Sequence, residues 1–215
     1  MTGNLIRELE KKLRNKLPGE KAQFIMAPAG SKIAEIAGDP EKAAVLILLF
    51  PHNGELSTVL IKRTDYPGPH GGQISLPGGK SEKTDESQVS TALREAQEET
   101  GIDTGKIETL GTLTPLYIPV SNIEVLPVVG FTDTQPDFLI NAREVEYLII
   151  TPLKQLLTGN RKKITKTLKV RNELVQAPGY LIQNEYIWGA TAMILSEFIE
   201  IVTGSDPGYS STIFL

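Results

Sequence analysis

Glu95, Glu98 and Glu99 follow Arg94 directly and are closed by Gly101, while a Pro77-Gly78-Gly79 turn lies upstream. At about 100° per residue, with Glu95 as zero, Glu99 falls near 40° and Glu98 near 300°, so a helix would carry the three carboxylates on one face. Clustered anions repel one another unless a cation sits among them. Magnesium or manganese takes hard carboxylate oxygens while keeping other positions for water and substrate phosphate oxygens. The residues therefore read as a site for a divalent metal and phosphate. Arg94 precedes Glu98 by one turn and is placed to orient it. On the same wheel Val89, Ala92, Leu93 and Ala96 fall at roughly 120°, 60°, 160° and 100°, a separate stripe for the core. The helix is expected to begin near Asp85 or Glu86, with Gly101 left-handed just past its end.

Residues 79 to 102 resemble the Nudix box, whose form is a glycine, five residues, a glutamate, seven residues, then Arg-Glu-aliphatic-Xaa-Glu-Glu-Xaa-Gly-aliphatic. The second half matches position by position. In the first half six residues separate Gly79 from Glu86, while Glu86 keeps the box's distance to Arg94, so the loop holds one extra residue. Asp85 stands at the box's distance from Gly79, and either Asp85 or Glu86 takes the first acidic position. Glu86 falls about 180° from Glu95 on the wheel, which argues for a structural or capping role.

The expanded loop is similar to that of the Nudix subfamily that cleaves coenzyme A, which also carries a marked segment just upstream of its box. Here that segment runs from Arg63 to Gly79, and Arg63, His70, Gly72, Gln73, Ser75 and Pro77-Gly78-Gly79 agree with it. Thr64, Gly68 and Leu76 stand where serine or alanine, a second arginine, and phenylalanine are usual. Of these, Gly68 removes a cation. Further likeness runs through Pro115 to Asn122, Pro127 to Gly130, Glu144-Val145, Thr151-Pro152-Leu153 and Ile187 to Ala192.

The resemblance implies an α/β fold of the Nudix type, an α/β/α sandwich with a mixed sheet, plus N-terminal and C-terminal helices. It implies hydrolysis of coenzyme A or acyl-CoA to 3′,5′-ADP and (acyl-)phosphopantetheine, with the Gly79 carbonyl as a further metal ligand. The alternatives are another nucleoside diphosphate derivative such as ADP-ribose, which Gly68 keeps open, and a non-catalytic ligand sensor. A sensor is expected to lose box carboxylates, and this chain keeps all three.

Diphosphate hydrolysis needs charge neutralisation and an activated water, and bound Mg2+ or Mn2+ supplies both as a Lewis acid that lowers the pKa of its water. Glu95, Glu98 and Glu99 are the expected ligands. The general base is left between a box glutamate, Glu98 or Glu95, and the downstream pair Glu144 and Glu146, expected on one side of a strand start. Arg63 and the Gly71-Gly72 turn are candidates for phosphate by charge and by backbone N–H groups, with Gln73 beside them. His70 has no companion nucleophile or second histidine near it and reads as a surface residue. Tyr186 and Trp188 are core residues or adenine-stacking candidates.

The supporting elements follow from patterning. Leu5 to Leu17 is an amphipathic helix, and residues 20 to 42 a mixed connector. Ala43–Phe50 and Leu56–Lys62 form a hairpin around Asn53-Gly54. Strands are expected at Glu108–Leu116, Glu124–Phe131 and Val145–Thr151, and a closing helix from Trp188 to Val202. Arg161, Lys162, Lys163, Lys166, Lys169 and Arg171 read as a strand with one solvated face. Residues 1–42 are taken as the N-terminal helix and connector, 43–203 as the hydrolase domain and 204–215 as a turn-rich tail. A length of 215 residues allows a substantial core, and 22 basic against 26 acidic residues give no reason to expect nucleic acid as a partner. The chain has no cysteine, which excludes disulfides and zinc-thiolate sites. No secretory or membrane-spanning segment is expected, so the setting is the cytoplasm; association as a homodimer is left open.

Overall fold

A computed structural model of the chain describes residues 2–36, 38–65, 71–159, 164–170 and 173–204. The elements are α1 (Thr2–Leu13), α2 (Glu20–Gln23), β1 (Glu41–His52), β2 (Glu55–Arg63), β3 (Ile74–Ser75), β4 (Gly78–Lys80), α3 (Gln88–Thr100), β5 (Glu108–Thr112), β6 (Leu116–Ile118), β7 (Ile123–Phe131), β8 (Val145–Pro152), α4 (Leu153–Gly159), β9 (Ile164–Val170), β10 (Glu173–Ile182), β11 (Glu185–Trp188) and α5 (Gly189–Thr203).

β1 is the spine because its run from Ala43 to Phe50 is apolar on both pleat faces, as a strand covered on both sides must be. It pairs in parallel with β7, Glu41 opposite Ile123 through Leu49 opposite Phe131. On its other edge it pairs antiparallel first with β4 and then with β2. The β1–β2 hairpin turns at Asn53 and Gly54, with φ of 50° and 80°, as the Asn-Gly pair predicts. β8 and β3 lie on β2, and β5 and β6 on β7, completing an eight-stranded mixed sheet. β9, β10 and β11 make a separate three-stranded antiparallel sheet.

Alternation divides β1 between two cores. Ala44, Leu46, Leu48 and Phe50 face α3 and pack with Ala92, Ala96, Ile102 and Val128. Ala43, Ile47 and Leu49 face the opposite layer, where α1 contributes Ile6, Leu9 and Leu13, and α5 contributes Ile194, Leu195, Phe198 and Ile201. The result is the expected α/β/α sandwich. No helix among the described residues is long and apolar enough to cross a membrane.

Several expectations change in detail. The strand foreseen over Glu108–Leu116 is two, β5 and β6, broken around Pro115, which has no N–H to give the ladder. α1 ends at Leu13 rather than Leu17, and the connector holds α2 and a 3-10 turn at Phe24–Met26. β10 and β11 carry no strand expectation; β10 runs through Pro178 and Gly179, residue types that are scarce in strand interiors. Lys166 and Lys169 lie on β9 as foreseen, whereas Arg161, Lys162, Lys163 and Arg171, and the tail from 205 to 215, lie outside the described residues.

Candidate functional site

The site is assembled by the Gly78-Gly79 turn, the C-terminal half of α3, the end of β2 and the turn before β8. α3 begins later than the sequence suggests. Ser87 is its N-cap, accepting from Ser90 N–H at 3.2 Å, while the Ser90 hydroxyl accepts from Ser87 N–H at 2.9 Å. Gly101 closes it with φ 71°, its N–H on the Gln97 carbonyl. Asp85 and Glu86 therefore precede the helix.

The extra loop residue is resolved in favour of Asp85. Arg94 donates to both of its oxygens, Nε to Oδ1 at 2.9 Å and Nη2 to Oδ2 at 3.0 Å. Glu82 N–H and the Thr91 hydroxyl donate to Oδ2 as well, at 2.9 and 2.8 Å. The Arg94 guanidinium, followed by the Glu82 N–H, holds the Asp85 carboxyl well below the usual range. Glu86 is exposed. Arg94 completes the clamp on the Lys80 carbonyl at 3.0 Å, so one guanidinium ties the loop to the helix.

The same side chain reaches the box carboxylates. Nη1 donates to Glu95 Oε1 at 2.9 Å and to Glu98 Oε2 at 3.2 Å, placing positive charge between them. Glu95 lies against the Pro-Gly-Gly turn so closely that a Cβ on Gly79 would sit 2.3 Å from its Oε2. Gly78 is required for a different reason: φ is 150°, and a Cβ there would meet the Ala44 carbonyl oxygen at 2.3 Å. Both glycines of the turn answer to close approach, one to β1 and one to a carboxylate.

Glu99 is fully buried. Arg63 Nη1 donates to Oε1 and Gly78 N–H to Oε2, each at 2.8 Å. Burial nevertheless pushes its pKa up to about 7, against the pull of Arg63 and the Gly78 N–H, with Glu95 and Glu144 adding repulsion. Glu95 is raised too, by burial first, then by Glu98 and Glu144 against the pull of Arg94. Glu95, Glu98, Glu99 and Glu144 thus form one electrostatic neighbourhood short of positive charge.

Glu144 does not start a strand as expected. It sits in the turn before β8, its carboxylate accepting from Asn141 Nδ2 at 3.1 Å and its carbonyl from Thr64 N–H at 3.0 Å. Glu146 is exposed on β8, where the pairing passes from Lys62 opposite Tyr147 to Arg63 opposite Val145 and skips it. The two do not leave one side of a strand.

The upstream segment also differs from its reading. Arg63 points at Glu99 rather than standing open for phosphate. Gly72 N–H donates to the Thr64 carbonyl at 3.1 Å, and a Cβ on Gly72 would meet the Asp65 carboxylate at 2.1 Å, so that amide is already engaged and overlaid by an anion. The Gln73 carbonyl accepts from Arg63 N–H at 3.0 Å. Gly68 and His70 lie outside the described residues. Tyr186 is committed to structure, its hydroxyl on the Ile164 carbonyl at 3.0 Å and its ring under Lys166 Nζ at 4.5 Å. Sequence reasoning left Asp85 undecided and missed the Arg63–Glu99 pair; the spacing of Asp85 from Gly79 was the available signal for the first.

A divalent cation fits the chemistry of these donors, which are hard carboxylate oxygens with mutual repulsion to relieve, beside a glycine backbone that admits one of them. As the side chains stand, no group of three or more His, Cys, Asp or Glu among the described residues is gathered tightly enough to ligate an ion, and Arg94 holds two of the carboxylates.

Residues 40–169 match the family model for the NUDIX domain. The chain is 36% identical over 164 residues, 75% of its length and 80% of theirs, to proteins named uncharacterized Nudix hydrolase NudL from Yersinia pestis and Yersinia pseudotuberculosis. Among solved structures, a MutT/nudix family protein from Enterococcus faecalis aligns with a TM-score of 0.49 at 19% identity, over 80% of this chain and 65% of that one.

Proposed function

We propose that this chain, which belongs to the Nudix family and is a pyrophosphohydrolase, cleaves the diphosphate of coenzyme A or an acyl-CoA, releasing 3′,5′-ADP and (acyl-)phosphopantetheine. The observation that carries the substrate choice is the upstream segment. Its likeness to the coenzyme A-cleaving subfamily supports the choice, and the segment adjoins the box, Arg63 and the Gly78 N–H each meeting one oxygen of Glu99.

In this reading Glu95, Glu98 and Glu99, with the Gly79 carbonyl, hold Mg2+ or Mn2+. When bound, the cation screens the diphosphate and acidifies water. Arg94 positions Glu95 and Glu98 while anchored on Asp85. Glu144, whose carboxylate raises the pKa of both Glu95 and Glu99, is the proposed proton acceptor, with Glu98 the alternative within the box. Gln73, in the segment leading into the Pro-Gly-Gly turn, is proposed to meet the substrate, whereas the Gly72 amide is already engaged by the Thr64 carbonyl. Residues 43–203 form the proposed hydrolase unit, working in the cytoplasm without nucleic-acid or membrane partners.

The test is incubation with Mg2+ and coenzyme A, ADP-ribose, NADH or dinucleoside polyphosphates, with products identified by mass. The expected outcome is 3′,5′-ADP and phosphopantetheine from coenzyme A. Preferential cleavage of ADP-ribose would replace the substrate, and no turnover of any compound would leave a ligand sensor.

A further inference from the structure

We infer that Arg63 is a positioning residue for the metal-binding carboxylate Glu99 rather than a contact to substrate phosphate. The inference rests on the hydrolase reading above and deepens it, by assigning to metal geometry a side chain whose place in the sequence points to substrate.

The placement follows from the strand. Along β2 the pleat sends Val59 into the core beneath α3, and two steps of alternation bring Arg63 to the same face, at the end of the strand. The pairing with β8 shifts register at this point, Lys62 opposite Tyr147 but Arg63 opposite Val145. The unpaired residue, Glu146, is on β8, so β2 keeps its alternation through to Arg63. Arg63 N–H is tied to the Gln73 carbonyl at 3.0 Å, which fixes the backbone from the other edge. The guanidinium then spans from β2 to the last turn of α3, Nη1 reaching Glu99 Oε1 at 2.8 Å. Its side chain is 21% exposed and that of Glu99 is 0% exposed, so the pair is largely shielded from water and from screening.

Glu99 is thereby held at two points from two directions: Gly78 N–H on one oxygen and Arg63 on the other. Two contacts on one carboxylate fix its plane, and each oxygen retains a lone pair for a further partner. A cationic donor of this kind leaves a carboxylate able to ligate and sets the direction in which it does so. Supporting groups that orient a ligand without touching the ion typically account for about 10- to 100-fold in metal affinity. Lysine carries one charge on a flexible stem and cannot reproduce the planar donor geometry, so it should restore only part of the effect.

The experiment measures Mn2+ binding by the electron paramagnetic resonance signal of free ion, alongside steady-state kinetics with coenzyme A, for the unaltered protein and for R63A, R63K and R63Q. Thermal unfolding is recorded for each, and the two conservative variants carry the test should R63A not fold. We expect Mn2+ affinity to fall about 10-fold or more in R63A and R63Q and to recover partly in R63K, with kcat falling and KM for coenzyme A little changed. In an E99Q background, R63A should produce no further loss of Mn2+ affinity. Unchanged Mn2+ affinity with a raised KM would overturn the proposal and return Arg63 to the substrate. Failure of the unaltered protein to bind Mn2+ would instead remove the metal-dependent reading and the proposal with it.

Discussion

Gly78 and Gly79 are chemically identical and adjacent, yet the site asks different things of them, and substitution separates the two. An added Cβ at Gly79 meets the far end of a flexible side chain, Glu95 Oε2 at 2.3 Å, and the backbone there is not left-handed. Gly79→Ala is expected to change stability by less than ~1 kcal/mol while displacing Glu95 and lowering kcat by about 10-fold or more. Gly78→Ala puts its Cβ against the β1 backbone at an unfavourable φ of 150° and should destabilise by roughly 2–4 kcal/mol, visible as a fall in the urea midpoint. Glu99→Gln is expected to abolish turnover while leaving the circular dichroism spectrum intact; retained activity would remove Glu99 from the metal set. The shared face of Glu95, Glu98 and Glu99 was legible because helical periodicity is local. The Arg63–Glu99 pair was not, because it joins a strand to a helix across residues that periodicity cannot relate.

α3 illustrates what a single element contributes and what its loop contributes. Periodicity and Gly101 announced the helix and its end, but its start was misplaced because Asp85 and Glu86 look like first-turn acids, while a reciprocal Ser87–Ser90 cap carries no such charge signature. Asp85 belongs instead to a turn whose purpose is to grip Arg94. Its carboxyl is held below the ordinary pKa, so its contribution to stability is complete above the unfolded value near 3.9 and disappears as pH falls through the lower folded value. Asp85→Asn should therefore lower the unfolding temperature at pH 6–7, and the gap between variant and parent should narrow progressively below pH 4. Thermal melts across pH 2.5–7 check this; a gap independent of pH would mean that the Asp85 charge is not what binds loop to helix. Because Arg94 also orients Glu95 and Glu98, the variant should lose activity at temperatures where it remains folded.

At the scale of the molecule, the sandwich was legible from strands mixed with a few helices and from the Nudix resemblance. β1, apolar on both pleat faces, gives its physical reason, since such a strand demands a layer on each side. What ties the layer opposite α3 together was not legible, since the partners of Glu197 in α5 lie far from it in sequence. Glu197 has no exposed side-chain surface. It accepts from Gly19 N–H at 3.0 Å and the Thr114 hydroxyl at 2.6 Å through Oε1, and from Gln23 Nε2 at 2.8 Å through Oε2. One carboxylate thus pins the start of α2, the break between β5 and β6, and α5. Glu197→Ala takes the acceptor from three donors, of which Gln23 is fully buried and Gly19 and Thr114 half-buried, and should destabilise by roughly 3 kcal/mol, within the range for breaking a buried charged network. Glu197→Gln keeps Oε1 for Gly19 and Thr114 but sets its amide nitrogen against that of Gln23. Rotating the Gln23 amide would present its buried Oε1, which has no hydrogen-bond partner here, at the expense of the Thr114 carbonyl contact. A loss of about 1 kcal/mol is expected from that partial repair. Since the network lies across the sheet from α3, Mn2+ affinity and turnover below the melting transition should match the parent in both variants. A loss of metal affinity in Glu197→Gln without a loss of stability would show that the two faces of the sheet are energetically coupled through β1.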